Sequence, residues 1–307
     1  MNYYELEPED NTFKTISIQT TYRCQLKCAN CYLGNMLNNE SLPDIDYYKF
    51  ADVISRLPNK CDIRFIGAEP TLNKGLPALI RLTRAAKHRP TLLTNGIRLK
   101  SGSYTKELKD AGLFGLGISM NGGLDDDSYE VFDGGRFAKQ KIAGLNNTMK
   151  YRIIPHVNVI VDPSNIHVLK PLLEFVIETA LKHGVKFSPL KFPAAFRIKS
   201  IGQMGEYMKT KSFTVTELAE IVSDVIKVPK EDILGNPFTQ GYIEDRSRIF
   251  KFDTKAGTML GKITDWNVNK EGIPDPGNER RGILTDNYKI APFFEYYMKQ
   301  NDVVCGF

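Results

Sequence analysis

The stretch that decides the fold spans residues 15–31 and reads Thr15-Ile16-Ser17-Ile18-Gln19-Thr20-Thr21-Tyr22-Arg23-Cys24-Gln25-Leu26-Lys27-Cys28-Ala29-Asn30-Cys31. Its first six residues alternate in polarity as a β-strand does, and they lead directly into three cysteines spaced C-x3-C-x2-C. Three soft thiolates in one short loop suit an iron–sulfur cluster. A cubane held by only three cysteines keeps one iron open to a further ligand, so the loop predicts a reactive metal centre.

The alternative interpretations of this loop are a zinc site and a chance grouping. A structural zinc ion needs a fourth ligand at suitable spacing, but only Cys61 and Cys305 remain and the four histidines are isolated. Five cysteines, three of them clustered, also differ from the even, dispersed set of a disulfide framework. The pattern therefore favours an iron–sulfur cluster in a reducing compartment.

Composition sets the general class of protein. The chain has 307 residues, of which 42% are hydrophobic and 25% charged, as in an ordinary globular protein. Its apolar runs fall short of the ~20 residues of a membrane helix, and its start lacks the features of a signal peptide, so we expect a cytoplasmic protein without membrane contact. The net charge of +5 fits an anionic small substrate. Because the basic residues are scattered, a solvated mixed-charge surface is favoured over a nucleic-acid groove.

Short β-rich runs alternate with helical ones through the first 190 residues. The predicted strands are 15–20, 62–66, 91–94, 115–120, 156–161 and 186–190, and the predicted intervening helices are 47–57, 76–87, 105–111, 137–149 and 167–183. This alternation predicts parallel strands joined by right-handed crossovers. Spacing alone leaves a partial barrel and an open doubly wound sheet as alternatives, and both place reactive groups at the carboxyl ends of the strands.

The regular alternation of strands and helices does not continue towards the C-terminus. A helix is predicted at 215–228, a β-hairpin around 249–266, a polar Pro/Gly stretch at 269–282 and a helix with an aromatic face at 291–299. We therefore predict three parts: a core at 13–195, a helical continuation at 196–230, and an extension at 231–307 that covers or completes the substrate site.

The cysteine motif, followed by the aromatic Tyr32, resembles the cluster motif of the radical S-adenosylmethionine (SAM) superfamily. The resemblance covers residues 13 to about 195. It implies a partial (β/α)6 barrel with a C-terminal mixed α/β extension. It also implies a [4Fe–4S] cluster on Cys24, Cys28 and Cys31 whose open iron binds SAM, and a flavodoxin- or ferredoxin-type electron donor. Tyr32 is then expected beside the adenine, with core packing as the alternative.

A second segment supports this resemblance. Gly67-Ala68-Glu69-Pro70 follows the second predicted strand and is similar to the family's Gly-Gly-Glu-Pro segment. The resemblance implies that Glu69 and the backbone of Gly67 and Ala68 hold the methionyl end of SAM. Ala68 stands where the family has its second glycine, which is compatible with a negative φ.

Three further polar positions follow later strands. Thr94-Asn95-Gly96 is similar to a Thr-Asn-Gly segment of the family, and the resemblance implies that Asn95 contacts the ribose of SAM. The alternative is an ordinary turn, which Asn-Gly also forms. Ser119 and Asn121 lie in a stretch that resembles the family's Ser-x-Asp-Gly, with Asn121 in place of the aspartate, and are expected to face the ribose. Asn158 is expected at the ribose or carboxylate of SAM, or else in an internal hydrogen bond.

Some relatives have features that this sequence lacks. No second cysteine group follows residue 61, so a second cubane is not expected, and no Rossmann-like segment precedes residue 13, so a cobalamin-binding type is not expected either. Cys305 or Cys61 is a candidate hydrogen-atom donor, because some resembling epimerases use a thiol in this way. The alternative is a bystander near the end of the chain.

The sequence therefore predicts a radical SAM enzyme that oxidises, rearranges or epimerises a small molecule. Two alternatives stay open: a radical SAM enzyme that modifies a peptide, and a non-catalytic zinc or iron–sulfur adaptor for nucleic acid. A shared fold does not fix the substrate.

Overall fold

The computed structural model describes residues 3–28, 31, 33–189, 194–200, 213–235, 247–264 and 281–300. Within these ranges the strands are β1 Thr15–Gln19, β2 Asp62–Ile66, β3 Arg89–Thr94, β4 Gly115–Ser119, β5 Pro155–Val161, β6 Ala195–Ser200, β7 Ser247–Thr254, β8 Gly257–Thr264, β9 Arg281–Leu284 and β10 Ile290–Pro292. The helices are α1 Tyr47–Arg56, α2 Leu76–Ala85, α3 Gly102–Asp110, α4 Asp126–Asp133, α5 Ala138–Lys150, α6 Leu169–Lys182, α7 Val215–Ile226, α8 Lys230–Leu234 and α9 Phe293–Gln300.

Helix α1 shows how local sequence and packing combine. Asp46 caps its N-terminus by accepting hydrogen bonds from two backbone N–H groups of the first turn. The apolar stripe of the helix is buried, and Phe50 packs against Phe65 of β2 with ring centroids 6.0 Å apart. An amphipathic helix buried in this way against a strand is the repeating unit of the core.

The described strands form one sheet with the order β10-β9-β1-β2-β3-β4-β5-β6-β8-β7. Strands β1 to β6 are adjacent in chain order and pair in parallel. A doubly wound sheet reverses its strand order at a switch point, and this run contains no reversal. The partial barrel that the sequence left as one of two options is thus confirmed.

Residues beyond position 230 extend both edges of this sheet. The predicted hairpin is confirmed as β7–β8, and β8 pairs in parallel with β6. At the other edge β9 pairs in parallel with β1 and antiparallel with β10. The predicted division of the chain into three parts, with boundaries after residues 195 and 230, stays a prediction. Strand β6, Ala195–Ser200, spans the first of these boundaries.

The sixth strand differs from its predicted position at 186–190. It runs from Ala195 to Ser200, whereas Phe187 makes only an isolated bridge to Gly257. Pro189 lacks the N–H that a ladder requires, which disfavours pairing there. In β6 the basic residues Arg197 and Lys199 alternate with buried apolar ones, a pattern that also resembles a solvated segment.

Four further elements were missed by the sequence analysis: α4, α8, β9 and β10. Helix α4 precedes the predicted helix at 137–149, and α8 follows the predicted helix at 215–228. Strand β9 lies at the end of the predicted polar stretch, and β10 overlaps the start of the predicted helix at 291–299, which the structure confirms as α9. No helix in the described ranges has both the length and the apolar character needed to cross a bilayer.

Candidate active site

The sequence-predicted residues lie where the parallel strands of the core end. The cysteine loop follows β1, Glu69 follows β2, Asn95 follows β3 and Asn121 follows β4. In parallel α/β sheets the carboxyl ends of neighbouring strands meet at one edge, where ligands bind. The barrel therefore gathers residues that are far apart in the chain.

Backbone hydrogen bonds join the cysteine loop to the segment after β2. The N–H of Ala68 donates to the carbonyl of Thr21 (3.1 Å), and the N–H of Glu69 donates to that of Arg23 (2.9 Å). A Cβ on Gly67 would lie 2.7 Å from the Thr21 carbonyl, so only glycine allows this close approach. The two sequence motifs thus form one hydrogen-bonded unit.

The three thiols of the loop are half-buried and interact electrostatically. The Cys24 sulfur accepts hydrogen bonds from the N–H of Leu26 (3.3 Å) and from Nδ2 of Asn95 (3.8 Å). Burial raises the pKa of Cys24 to about 11, and it also raises the pKa values of Cys28 and Cys31. Cluster assembly must therefore displace protons from these thiols.

The sulfur and N–H groups of the cysteine loop match the chemistry of an iron–sulfur cluster. Three thiols on one loop, with N–H groups directed at one sulfur, match the ligands and the sulfur hydrogen bonds that such clusters use. The residues present fit a cluster with one position open.

Glu69 is fully buried and is held by donors from three residues. One carboxylate oxygen accepts from the N–H and hydroxyl of Thr71 and from the hydroxyl of Thr94, and the other accepts from the N–H of Asn95 (2.7 Å). Burial raises the pKa of the Glu69 carboxyl, and these hydrogen bonds oppose that rise. Its carboxylate thus ties the end of β2 to the end of β3.

Replacement of Glu69 by glutamine should therefore destabilise the site. The new amide NH2 would face at least one N–H or hydroxyl donor and leave it unsatisfied, a cost of about 1–3 kcal/mol. We expect a lower unfolding free energy in urea and weaker SAM binding. Glu107→Gln is the matched control, since Glu107 is half exposed and lies 3.9 Å from Arg81. Equal effects of the two substitutions would contradict the role assigned to Glu69.

Asn95 joins this carboxylate to the cysteine loop. Besides its contact with Cys24, its side-chain oxygen accepts from the N–H of Ile97 (3.0 Å) and from Nε2 of Gln25 (3.3 Å). Gly96 then adopts a φ of +83°, which glycine tolerates. The predicted turn at Thr94-Asn95-Gly96 is thus present, and the contact of Asn95 with SAM stays a prediction.

Ser119 and Asn158 lie side by side in the register of β4 and β5. Both are half-buried. Nδ2 of Asn158 donates to the carbonyl oxygens of His156 (3.1 Å) and, more weakly, Ile118 (3.4 Å). Of the roles predicted for Asn158, the structure thus shows the internal hydrogen bond, and the SAM contact stays a prediction.

A buried ion pair that the sequence analysis missed borders the cysteine loop. Nζ of Lys141 lies 2.5 Å from Oδ2 of Asp133, and both side chains are almost wholly inaccessible to solvent. The same ammonium donates to the carbonyl of Ser119 (3.1 Å), and Asp133 Oδ1 lies 3.7 Å from the Cys28 sulfur. The two residues are eight positions apart in sequence and lie on different helices, so no local sequence pattern predicts their ion pair.

Asn121 belongs to this buried network. Its Nδ2 donates to Asp133 (3.2 Å), and its Oδ1 accepts from the N–H of Ile160 (3.0 Å). The side chain is 5% exposed and links the ends of β4 and β5. The expected contact with the ribose stays a prediction, and the contacts observed are structural.

The remaining candidate residues are not near this edge or fall outside the described ranges. Cys61 is buried at the amino end of β2, the end opposite the cysteine loop, where Nδ2 of Asn11 lies 3.5 Å from its sulfur. Tyr32 and Cys305 lie outside the described residues.

Helix α9 packs beside the cysteine loop. Tyr296 and Tyr297 are buried in a small cluster with Leu33, against which Cys31 packs. The Tyr297 hydroxyl donates to the side-chain oxygen of Gln19, at the end of β1 (2.8 Å). Helix α9, which belongs to the predicted extension, therefore contacts the carboxyl edge of the sheet beside the cysteine loop.

A family comparison identifies the class of protein. The family model described as the Radical SAM superfamily matches residues 18–175, just over half of the chain. The chain belongs to this superfamily and is an enzyme whose cofactors are a [4Fe–4S] cluster and SAM.

Individual relatives are similar over different spans. A 7,8-dihydro-6-hydroxymethylpterin dimethyltransferase from Methanocaldococcus jannaschii is 28% identical over 183 residues, which cover 57% of this chain and 36% of that protein. A GTP 3',8-cyclase from Peptoclostridium acidaminophilum is 24% identical over 298 residues, which cover 90% of this chain and 89% of the cyclase.

Among solved structures, SuiB of Streptococcus suis bound to S-adenosylmethionine superimposes with a TM-score of 0.62 at 15% identity. The superposition covers 91% of this chain and 60% of SuiB. At this identity the likeness establishes the fold. The chain thus has the radical SAM fold, as the sequence predicts.

Proposed function

We propose that this chain binds SAM at a cluster held by Cys24, Cys28 and Cys31 and abstracts hydrogen from an anionic small molecule, which is then oxidised, rearranged or epimerised. The observation that carries the proposal is the three-thiol loop at the carboxyl edge of the barrel. Cys24, Cys28 and Cys31 would hold the cluster, which, once reduced, would supply the electron for cleavage of bound SAM and so the means of abstracting hydrogen from the substrate.

The chain's own residues bind and orient SAM in this proposal. The backbone of Gly67 and Ala68 receives the methionyl end, and Glu69 holds that backbone in place through its contacts with β3. Ser119 and Asn158, adjacent across β4 and β5, face the ribose. Orientation of this kind places the reacting groups close together and reduces the entropic cost of reaction.

Two features support a small molecule as the substrate. The relatives described above are named for GTP and for a pterin, and the similarity to the cyclase spans most of both chains. The net charge of +5 favours an anion. We further propose a flavodoxin- or ferredoxin-type electron donor and a cytoplasmic location, in keeping with free thiols in the described cysteine loop.

Anaerobic reconstitution with iron and sulfide tests the proposal. The product should be brown, absorb near ~400 nm as thiolate-bound clusters do, and release 5′-deoxyadenosine when given SAM and dithionite. Cys61→Ala is the matched cysteine control, because Cys61 lies in the core at the other end of β2, and it should retain the colour and the cleavage. A colourless protein, or a brown protein that leaves SAM intact, would refute the proposal.

A further inference from the structure

Five basic side chains lie on the face of the sheet opposite the helices of the core. We call them the lumen cation cluster: Arg64, Arg197, Lys199, Lys262 and Arg281. In β6 the apolar neighbours Phe196 and Ile198 are buried, so Arg197 and Lys199 project from the other face of the strand. All five side chains are half-buried, as expected inside a concave surface.

The cluster continues the row of residues expected at SAM. Ser119 pairs with Asn158, Asn158 pairs with Arg197, and Arg197 pairs with Lys262 across β4, β5, β6 and β8. Neighbouring strands lie about 4.8 Å apart, so paired residues project side by side from one face. The cations are therefore next to the predicted ribose contacts on the same surface.

The members of the cluster lie on strands that are far apart in the strand order but share one face of the sheet. Arg64 lies on β2 and Lys199 on β6, with three strands between them. Burial lowers the pKa of Lys199 to about 7, and repulsion from all four other cations of the cluster contributes. Burial likewise lowers the pKa of Lys262 to about 8, with repulsion from the three arginines. Charges on such distant strands interact because the sheet curves around a common interior.

Such a cluster has an electrostatic cost that a bound anion would offset. Like charges in a partly dehydrated interior repel one another strongly. An acidic residue on the same face, Asp62, forms an ion pair with Arg89. Arg281 is additionally held over the ring of Phe293, with its guanidinium carbon 3.8 Å from the ring centroid. Arginine forks and lysine ammonium groups together are the side chains that bind phosphate.

We propose that the lumen cation cluster binds the phosphate groups of a substrate that carries several negative charges, a phosphate ester or polyphosphate. This inference rests on the proposed function, whose anionic substrate it assigns to a chemical class and to a surface. Five cations suit a polyphosphate better than a single carboxylate, because each charge-assisted contact needs its own acceptor oxygens. The phosphate groups lie beside the row of Ser119 and Asn158.

Calorimetric titration of the reconstituted protein with tripolyphosphate tests the inference. Tripolyphosphate should bind the unaltered protein more tightly than citrate does, and inorganic phosphate should bind more weakly than tripolyphosphate. Lys199→Met/Lys262→Met should weaken tripolyphosphate binding by about 100-fold, or roughly tenfold for each ammonium removed. Lys262→Arg keeps the charge and should retain most of the affinity.

The matched control is Lys139→Met/Lys170→Met, which changes the net charge equally through exposed lysines of α5 and α6. It should bind tripolyphosphate as the unaltered protein does. Without ligand, the circular dichroism of the Lys199→Met/Lys262→Met variant should match that of the unaltered protein, which shows that it is folded. Citrate binding more tightly, no tripolyphosphate binding, or equal losses in both double variants would each overturn the inference.

The two proposals can fail separately in the same preparation. SAM cleavage by the unaltered protein without binding of tripolyphosphate would refute the phosphate site and leave the proposed activity intact. Tripolyphosphate binding without SAM cleavage would refute the proposed activity and leave the phosphate site intact.

Discussion

Alanine at any one of Cys24, Cys28 and Cys31 should abolish reductive cleavage of SAM, with 5′-deoxyadenosine falling below about a thousandth of its original level. The proposed cluster already has only three protein ligands, and the loss of one leaves no spare thiol within the described loop. Iron and sulfide should fall together with the absorbance near ~400 nm. The measurement is metal and sulfide analysis alongside product quantification under anaerobic conditions.

The fold itself should survive these cysteine substitutions. The loop is held to the barrel by backbone hydrogen bonds from Ala68 and Glu69, which do not depend on the thiols. We therefore expect little change in the circular dichroism of the cluster-free protein. A cysteine variant that keeps both its sulfide and its cleavage activity would show that the ligands have been assigned incorrectly.

Lys141→Met should produce the largest loss of stability of the substitutions considered. It leaves the carboxylate of Asp133 buried without its ammonium partner, and breaking a buried pair in this way costs about 3–5 kcal/mol. The unfolding free energy of the cluster-free protein in urea measures the effect. Because Asp133 also contacts the Cys28 thiol, an uncompensated negative charge there should lower cluster loading as well.

Two further variants separate the lost ion pair from lost packing. Lys141→Met/Asp133→Leu removes both charges and should recover most of the stability, because well-packed apolar pairs often replace buried ion pairs at little cost. Lys106→Met breaks an exposed ion pair with Asp110 in α3 and should cost less than about 0.5 kcal/mol. If the double variant is as unstable as Lys141→Met, an uncompensated charge is not the cause.

Several features of the site could be predicted from short-range sequence patterns. The spacing of Cys24, Cys28 and Cys31 indicates the cluster, and the order of strands and helices places Glu69 and Asn95 at the same edge. In each case the signal is local, either a motif of a few residues or the periodicity of one element. The partial barrel and the superfamily follow from these signals together.

The positions of β6, β9 and β10 could not be predicted in this way, whereas helix α9 was predicted from its aromatic face. In β6, apolar residues alternate with Arg197 and Lys199, as they do in a strand with one face in solvent. The sequence alone does not show that the face with the two basic residues lines the inside of the barrel. The pairing of β9 with β1 joins residues more than 260 positions apart, and no local pattern encodes it.

Short-range sequence patterns are enough to indicate three thiols in one loop, the motif after β2 and a run of parallel strands. Which charges meet depends instead on the folded arrangement, which brings Lys141 to Asp133 beside Cys28 and assembles the lumen cation cluster across the barrel. The physical reason is that ligand spacing and periodicity act over a few residues, whereas the curvature of the sheet and the packing of helices bring together side chains from distant strands.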